Sequence, residues 1–102
     1  FLSEIYKLNI IEKTAEMHDR EMAYVQGLSH FIGRALATMN ISEYETATKS
    51  YKQLVSLEYL VGNDTWELYK TIQNGNELTK EVRTEFLKTL MELENKLEQN
   101  LE

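Results

Sequence analysis

No proline occurs anywhere in the 102 residues. Proline removes a backbone donor and collides with the preceding turn, so its absence leaves the chain free to run in long, unbroken helices. The apolar pattern uses that freedom. Met17, Val25, Leu28, Phe31, Ile32, Ala35, Leu36 and Met39 recur at helical spacing and predict a long helix over 15–39. Thr14 is placed to cap it, with Glu16 in the first turn, where the helix dipole favours a carboxylate. Ser42-Glu43-Tyr44-Glu45 has the form of a capping box and predicts a second helix through Ala47, Tyr51, Leu54, Val55, Leu57, Glu58 and Val61, stopped at Gly62. Asp64-Thr65-Trp66-Glu67 predicts the cap of a short third helix through Leu68, Tyr69 and Ile72, ended by Asn74-Gly75-Asn76. Thr79 is the expected cap of a last helix on Val82, Phe86, Leu90, Leu93 and Leu97. The expected fold is all-α, a domain of four main helices. Ahead of them, Phe1 to Leu8 has a short helical pattern, and residues 10–14 fit either a short strand or a helix entry.

Two features of the long helix ask for more than amphipathicity. Gly27 lies four residues after Ala23, and Ala37 four after Gly33. A mid-helix glycine costs about 1 kcal/mol against alanine, so two of them point to close approach by another backbone or by a ligand. Gln26, His30 and Arg34 also stand four apart, a spacing that stacks them on one face. This stripe is either a solvated edge or the wall of a pocket. As a wall, Arg34 would pair with a substrate carboxylate, His30 would donate a hydrogen bond or carry charge, and Gln26 would orient either one. Six tyrosines are a generous number, and Tyr51 and Tyr69 fall where they can face the long helix.

Composition narrows the function. A formal net charge of −6 argues against nucleic acid or an anionic membrane as the main partner. No apolar run approaches the roughly 20 residues of a membrane span. With no cysteine, disulfides and thiolate metal sites are excluded. His18 and His30 lack metal-site spacing, and Ser29 beside His30 points elsewhere on a helix, so neither a metal centre nor a nucleophilic triad is expected. Four scattered glycines form no phosphate-binding loop.

HDREMAYVQGLSHF, residues 18–31, resembles the start of the helical second domain of the prephenate dehydrogenase family. His18-Asp19 opens the long helix there, Met22 to Gln26 comes next, and His30-Phe31 closes the segment. A weaker resemblance runs through residues 50–76, so the likeness spans roughly 9–76, with the last helix matching in type alone. It implies an enzyme of tyrosine biosynthesis that oxidatively decarboxylates prephenate or arogenate with NAD or NADP. In such enzymes a separate N-terminal domain binds the dinucleotide and carries the main catalytic histidine, while the helical domain forms the homodimer and closes over the substrate. Residues 1–14 are then expected to be the tail of that dinucleotide-binding domain and 15–102 the dimerisation and substrate-pocket domain. Phe1, in place of a methionine, fits such a fragment. The chain alone is expected to be inactive and its parent cytoplasmic. By the same resemblance His30 matches a histidine near the pocket and Tyr69 an aromatic position near it, Gln26 sits on the same helix face one turn before His30, and Tyr51 matches a tyrosine of the third helix; with Arg34 as the added cation these are the expected substrate-binding residues. One departure is plain: Leu60 stands where the family has a carboxylate-binding arginine, and no arginine occurs between Arg34 and Arg83. The alternative is a non-enzymatic helical module that dimerises or binds a partner through the same apolar faces.

Overall fold

In the computed structural model, which describes residues 14–99, every regular element is helical. The expected all-α class and its four rods are present. The first rod joins α1 (Ala15–Met22), a π-helical segment (Ala23–Leu28) and α2 (Ser29–Met39). Three further rods complete the domain: α3 (Lys49–Val61), α4 (Trp66–Asn74) and α5 (Glu77–Glu98). The expectations placed on residues 1–13 lie outside the described residues.

Thr14 caps the first rod as its sequence predicts, its hydroxyl accepting from the Met17 N–H at 3.1 Å. The rod continues through the π segment without a break, since Met22, Ala23, Leu28 and Ser29 all keep right-handed backbone angles. It stops at Asn40, which takes the left-handed conformation (φ 58°, ψ 51°) and returns its N–H to Ala37 and Leu36. Asparagine tolerates this conformation better than most residues.

Three helix starts differ from the sequence expectation. The capping box at Ser42 does not open α3. Tyr51 donates its hydroxyl to the Ser42 carbonyl at 2.6 Å, and its ring packs on Tyr44 at 5.8 Å. These contacts hold the 41–48 stretch as irregular chain, and Thr48 caps α3 by accepting from the Tyr51 N–H. In the next turn Thr65 caps α4 rather than Asp64, whose carboxylate is turned toward His30. Last, α5 begins at Glu77, capped by Asn76, and Thr79 lies inside it, 1 % exposed. Several residues in each stretch can cap a helix. Tertiary contacts select among them.

The glycines of the first rod answer their question in favour of another helix. A Cβ on Gly27 would lie 2.6 Å from Thr79 Cγ2, so α5 crosses the π segment at this point. A Cβ on Gly33 would collide with Val61 Cγ2, so α3 crosses α2 there. Gly62 ends α3 as expected, although its backbone is right-handed (φ −81°, ψ −16°) and any residue could adopt it. Glycine is needed there because the Gly33 carbonyl would lie 2.6 Å from a Cβ. Ala23 and Val82 are the buried apolar side chains among the described residues, and Phe31 meets Phe86 edge to face at 6.4 Å. That is a thin core for a chain of this length.

Candidate functional site

The Gly33–Gly62 crossing fixes where the neighbouring residues of both helices meet. Arg34 is the next residue on α2, and Asp64 lies two residues beyond Gly62. Backbone contact at the glycines brings the α3–α4 turn down onto α2. There Asp64 meets two members of the polar stripe. Its carboxylate Oδ2 lies 3.1 Å from His30 Nδ1, and its main-chain carbonyl accepts from Arg34 Nη1 at 2.6 Å. The His30 contact is a charge pair when the ring is protonated. It is not aligned as a hydrogen bond, so Nδ1 is buried without a directed partner.

Arg34 does more than reach Asp64. Its guanidinium carbon sits 5.4 Å from the centre of the Trp66 ring and 5.1 Å from that of Tyr69. The two rings lie 5.3 Å apart, tilted by 32°. Stacking over aromatic faces suits the planar, weakly hydrated guanidinium. No carboxylate lies within ion-pair distance of Arg34 among the described residues. Among the described residues its contacts are therefore with a carbonyl and two rings, and not with an acid.

The stripe as a whole lies along α4, which runs antiparallel to the first rod. Trp66 and Tyr69, at the start of α4, meet Arg34; Gln73 donates to the Gly27 carbonyl at 2.9 Å; Asn76, just past its end, donates to the Asp19 carbonyl at 2.6 Å. His30 and Arg34 thus form a half-buried seam. Gln26 stays exposed at the other end of α4, beside a cavity of about 380 Å³ shared with His18, Asp19, Met22 and Ile72. The π segment, in which Gln26 lies, departs from the 3.6-residue turn that the four-residue spacing assumes.

Of the five residues singled out in the sequence, the structure brings His30, Arg34 and Tyr69 together. Gln26 is apart from them, and so is Tyr51, which is engaged with Ser42 and Tyr44. Leu60 is 72 % exposed and lines a groove of about 550 Å³ with Ile41, Val55 and Tyr59, away from the Trp66–Tyr69 pair. Sequence reasoning missed four residues of this region: Asp64, Trp66, Gln73 and Arg83. One signal for two of them was present. Trp66, Tyr69 and Gln73 fall three and four apart, so a glutamine occupies an inward position of α4. It is 5 % exposed, and its Oε1 accepts from Arg83 Nη1 at 2.8 Å.

A family model described as the TYRAAT1-like C-terminal domain matches residues 35–102. The chain belongs to the prephenate/arogenate dehydrogenase family. The match covers α3, α4 and α5, including Asp64, the Trp66–Tyr69 pair and Arg83. It begins one residue after Arg34 and excludes residues 18–31, the segment that carries the stronger resemblance. The last helix, alike in type alone by sequence, falls inside it. No curated protein and no solved structure matches the chain. For a domain of this dehydrogenase family, two structural facts bear on the setting. No helix among the described residues is long and apolar enough to cross a membrane. No group of three or more histidine and carboxylate side chains among them could hold a metal ion.

Proposed function

We propose that this chain is the dimerisation and substrate-pocket domain of an NAD(P)-dependent prephenate or arogenate dehydrogenase, the oxidative decarboxylase step of tyrosine biosynthesis. The observation that carries the pocket is the convergence of Arg34, His30, Asp64, Trp66 and Tyr69 from three elements. A guanidinium fixed by a carbonyl beside two aromatic rings, with no acid paired to it among the described residues, suits a ring-bearing carboxylate. Asp64 holds Arg34 through its carbonyl and sets its carboxylate beside His30, so substrate meets a guanidinium already in place.

Gly27, Gly33 and Gly62 are consumed in helix crossings and Gly75 closes a helix, so none shapes a phosphate-cradling loop. In this reading a different domain of the parent enzyme holds the cofactor.

Dimerisation is supported by what the fold leaves uncovered. Met39, Tyr59 and Leu60 are 72–78 % exposed, and Tyr59 and Leu60 line the 550 Å³ groove on the outer side of α3. Isolated exposed apolar residues are ordinary, but a groove lined by several marks an interaction surface.

The test is made at two levels. The chain should sediment as a dimer at tens of micromolar, roughly where a standard-sized interface holds. In the full-length enzyme, Arg34→Ala should reduce kcat/KM by about 10- to 100-fold, the loss of a charged hydrogen bond in the transition state. Arg34→Lys should not restore it, since lysine lacks the planar fork that stacks on both rings. A monomer would remove the dimer. Unchanged turnover in both Arg34→Ala and His30→Ala would remove the site, and absence of turnover with prephenate and arogenate would remove the enzyme.

A further inference from the structure

The protein carries 17 acidic side chains against 11 basic ones, yet two half-buried arginines, Arg34 and Arg83, have no carboxylate within ion-pair distance among the described residues. In a chain with that excess of acid, arginines left without an acid are conspicuous. They differ in what they face. Arg34 is covered by the Trp66 and Tyr69 rings and tied to the Asp64 carbonyl. Arg83 lines a cavity of about 270 Å³ between α4 and α5, together with Trp66, Tyr69, Lys70, Gln73 and Asn74. Among the described residues one of its nitrogens is engaged: Nη1 donates to the Gln73 Oε1 at 2.8 Å and to the Gln73 carbonyl at 3.3 Å. The remaining guanidinium N–H groups make no hydrogen bond to the described residues.

From this we infer that the α4–α5 cleft is a carboxylate subsite, in which Arg83 anchors the carboxylate of a ring-bearing acid while Trp66 and Tyr69 receive its ring. The inference rests on the pocket reading above and deepens it, because it names the cation that serves where Leu60 cannot. Position 60 lines the groove with Ile41, Val55 and Tyr59, and that groove shares no lining residue with this cleft. Gln73 is the positioning residue. It is 5 % exposed and fixed to the Gly27 carbonyl, and it holds Arg83 by one edge, leaving the other for a ligand. An arginine pre-set in this way loses little freedom on binding a carboxylate bidentately. Lys70 adds a second positive charge at the rim. Its acidic partner among the described residues, Glu67, is 3.9 Å away and 82 % exposed, which makes a loose, screened pair. Asn74 supplies an amide donor on the same wall. At about 270 Å³ the cleft falls just below the roughly 300–1,000 Å³ of ligand pockets, a size for a single ring with a short acidic arm.

Trp66 is the one tryptophan in the chain and lines this cleft, so its fluorescence reports occupancy directly. The 102-residue chain is titrated with 3-phenylpropionate and, separately, with its neutral isostere 3-phenylpropionamide. The acid is expected to bind about tenfold or more tightly than the amide, the discrimination a charged hydrogen bond gives. Arg83→Gln should abolish that preference and leave amide binding as it was, which shows the cleft still formed. Lys70→Glu, a change at an exposed residue that does not threaten the fold, should weaken the acid by about tenfold and spare the amide. Leu60→Arg should change neither. If the wild-type preference survives both Arg83→Gln and Lys70→Glu but disappears in Arg34→Ala, the assignment to Arg83 is wrong and the Arg34 pocket stands. If the wild-type chain does not prefer the acid at all, the subsite and the pocket reading fall together. If Arg83→Gln loses the amide too, Lys70→Glu decides: unaltered acid binding in that variant overturns the subsite.

Discussion

Gly62→Ala is expected to lower the stability of the domain by about 2–3 kcal/mol, the cost of forcing extra atoms into a packed contact. In a domain of this size that is about 10–20 °C in Tm at fixed chain concentration. The backbone at Gly62 is right-handed, so the cost is not conformational. It is steric, and the obstacle is rigid. The added methyl would lie 2.6 Å from the Gly33 carbonyl oxygen and 3.0 Å from Ala37 Cβ. A carbonyl in mid-helix cannot turn aside, so α3 must back away from α2. The turn that carries Asp64 onto His30 and Arg34 moves with it. Two comparisons isolate this effect in thermal melts monitored by circular dichroism. Gly75→Ala meets only its own preceding turn, at the Thr71 carbonyl, and should cost much less. Gly33→Ala meets the Val61 methyl, so Val61→Ala in the same chain should recover part of its loss. No side-chain truncation should recover Gly62→Ala to the same degree. Equal losses in Gly62→Ala and Gly75→Ala would show that the crossing carries no special strain.

Gln73→Leu should cost about 2–3 kcal/mol, although leucine is close in size and more apolar. The side chain is 5 % exposed and joins three elements: Nε2 donates to the Gly27 carbonyl in the π segment, and Oε1 accepts from Arg83 on α5. Leucine takes the amide donor from the Gly27 carbonyl and leaves Arg83 Nη1 with the longer bond alone, 3.3 Å to the main-chain carbonyl of residue 73, and buried polar groups that lose partners are costly. Gln73→Glu should fall between. It keeps an acceptor for Arg83 and loses the donor to Gly27. Urea unfolding reads the difference, with the m-value expected unchanged because the folded shape is kept. A leucine variant as stable as the wild type would mean that water replaces both bonds at no cost. Arg83 would then owe nothing of its orientation to Gln73.

The helices were legible for local reasons. Thr14 capped the first rod where the sequence put it, because a threonine hydroxyl reaches an N–H three residues on within one turn. The ends at Gly62 and Asn74 were legible in the same way. Where three starts were misplaced, each stretch offered more than one competent cap. Ser42 lost to Thr48 because Tyr51 takes the Ser42 carbonyl, Asp64 to Thr65 because its carboxylate faces His30, and Thr79 to Asn76 because Gly27 leaves room for a buried threonine. None of these partners is near in sequence in a way that a capping pattern can register. The site divided along the same line. His30 and Arg34 shared a face by their spacing alone, and Tyr69 joined them once α4 lay alongside. Tyr51 had the same residue type and an equally plausible position, yet its hydroxyl found Ser42.

By itself the sequence determined that the chain is helical, where its apolar faces run, and that Gly27 and Gly33 require something close. Those are consequences of periodicity, missing proline and side-chain size, which act within a few residues. Only the tertiary structure decided what came close. It set α3 against Gly33 and α5 against Gly27, and it laid α4 antiparallel along the polar stripe. It joined Asp64 to Arg34 across 30 positions and Gln73 to Gly27 across 46, and it put Trp66 and Arg83 in one cleft. The physical reason is that backbone contact at a glycine and charge contact at a half-buried arginine depend on distance in space, which local pattern does not encode.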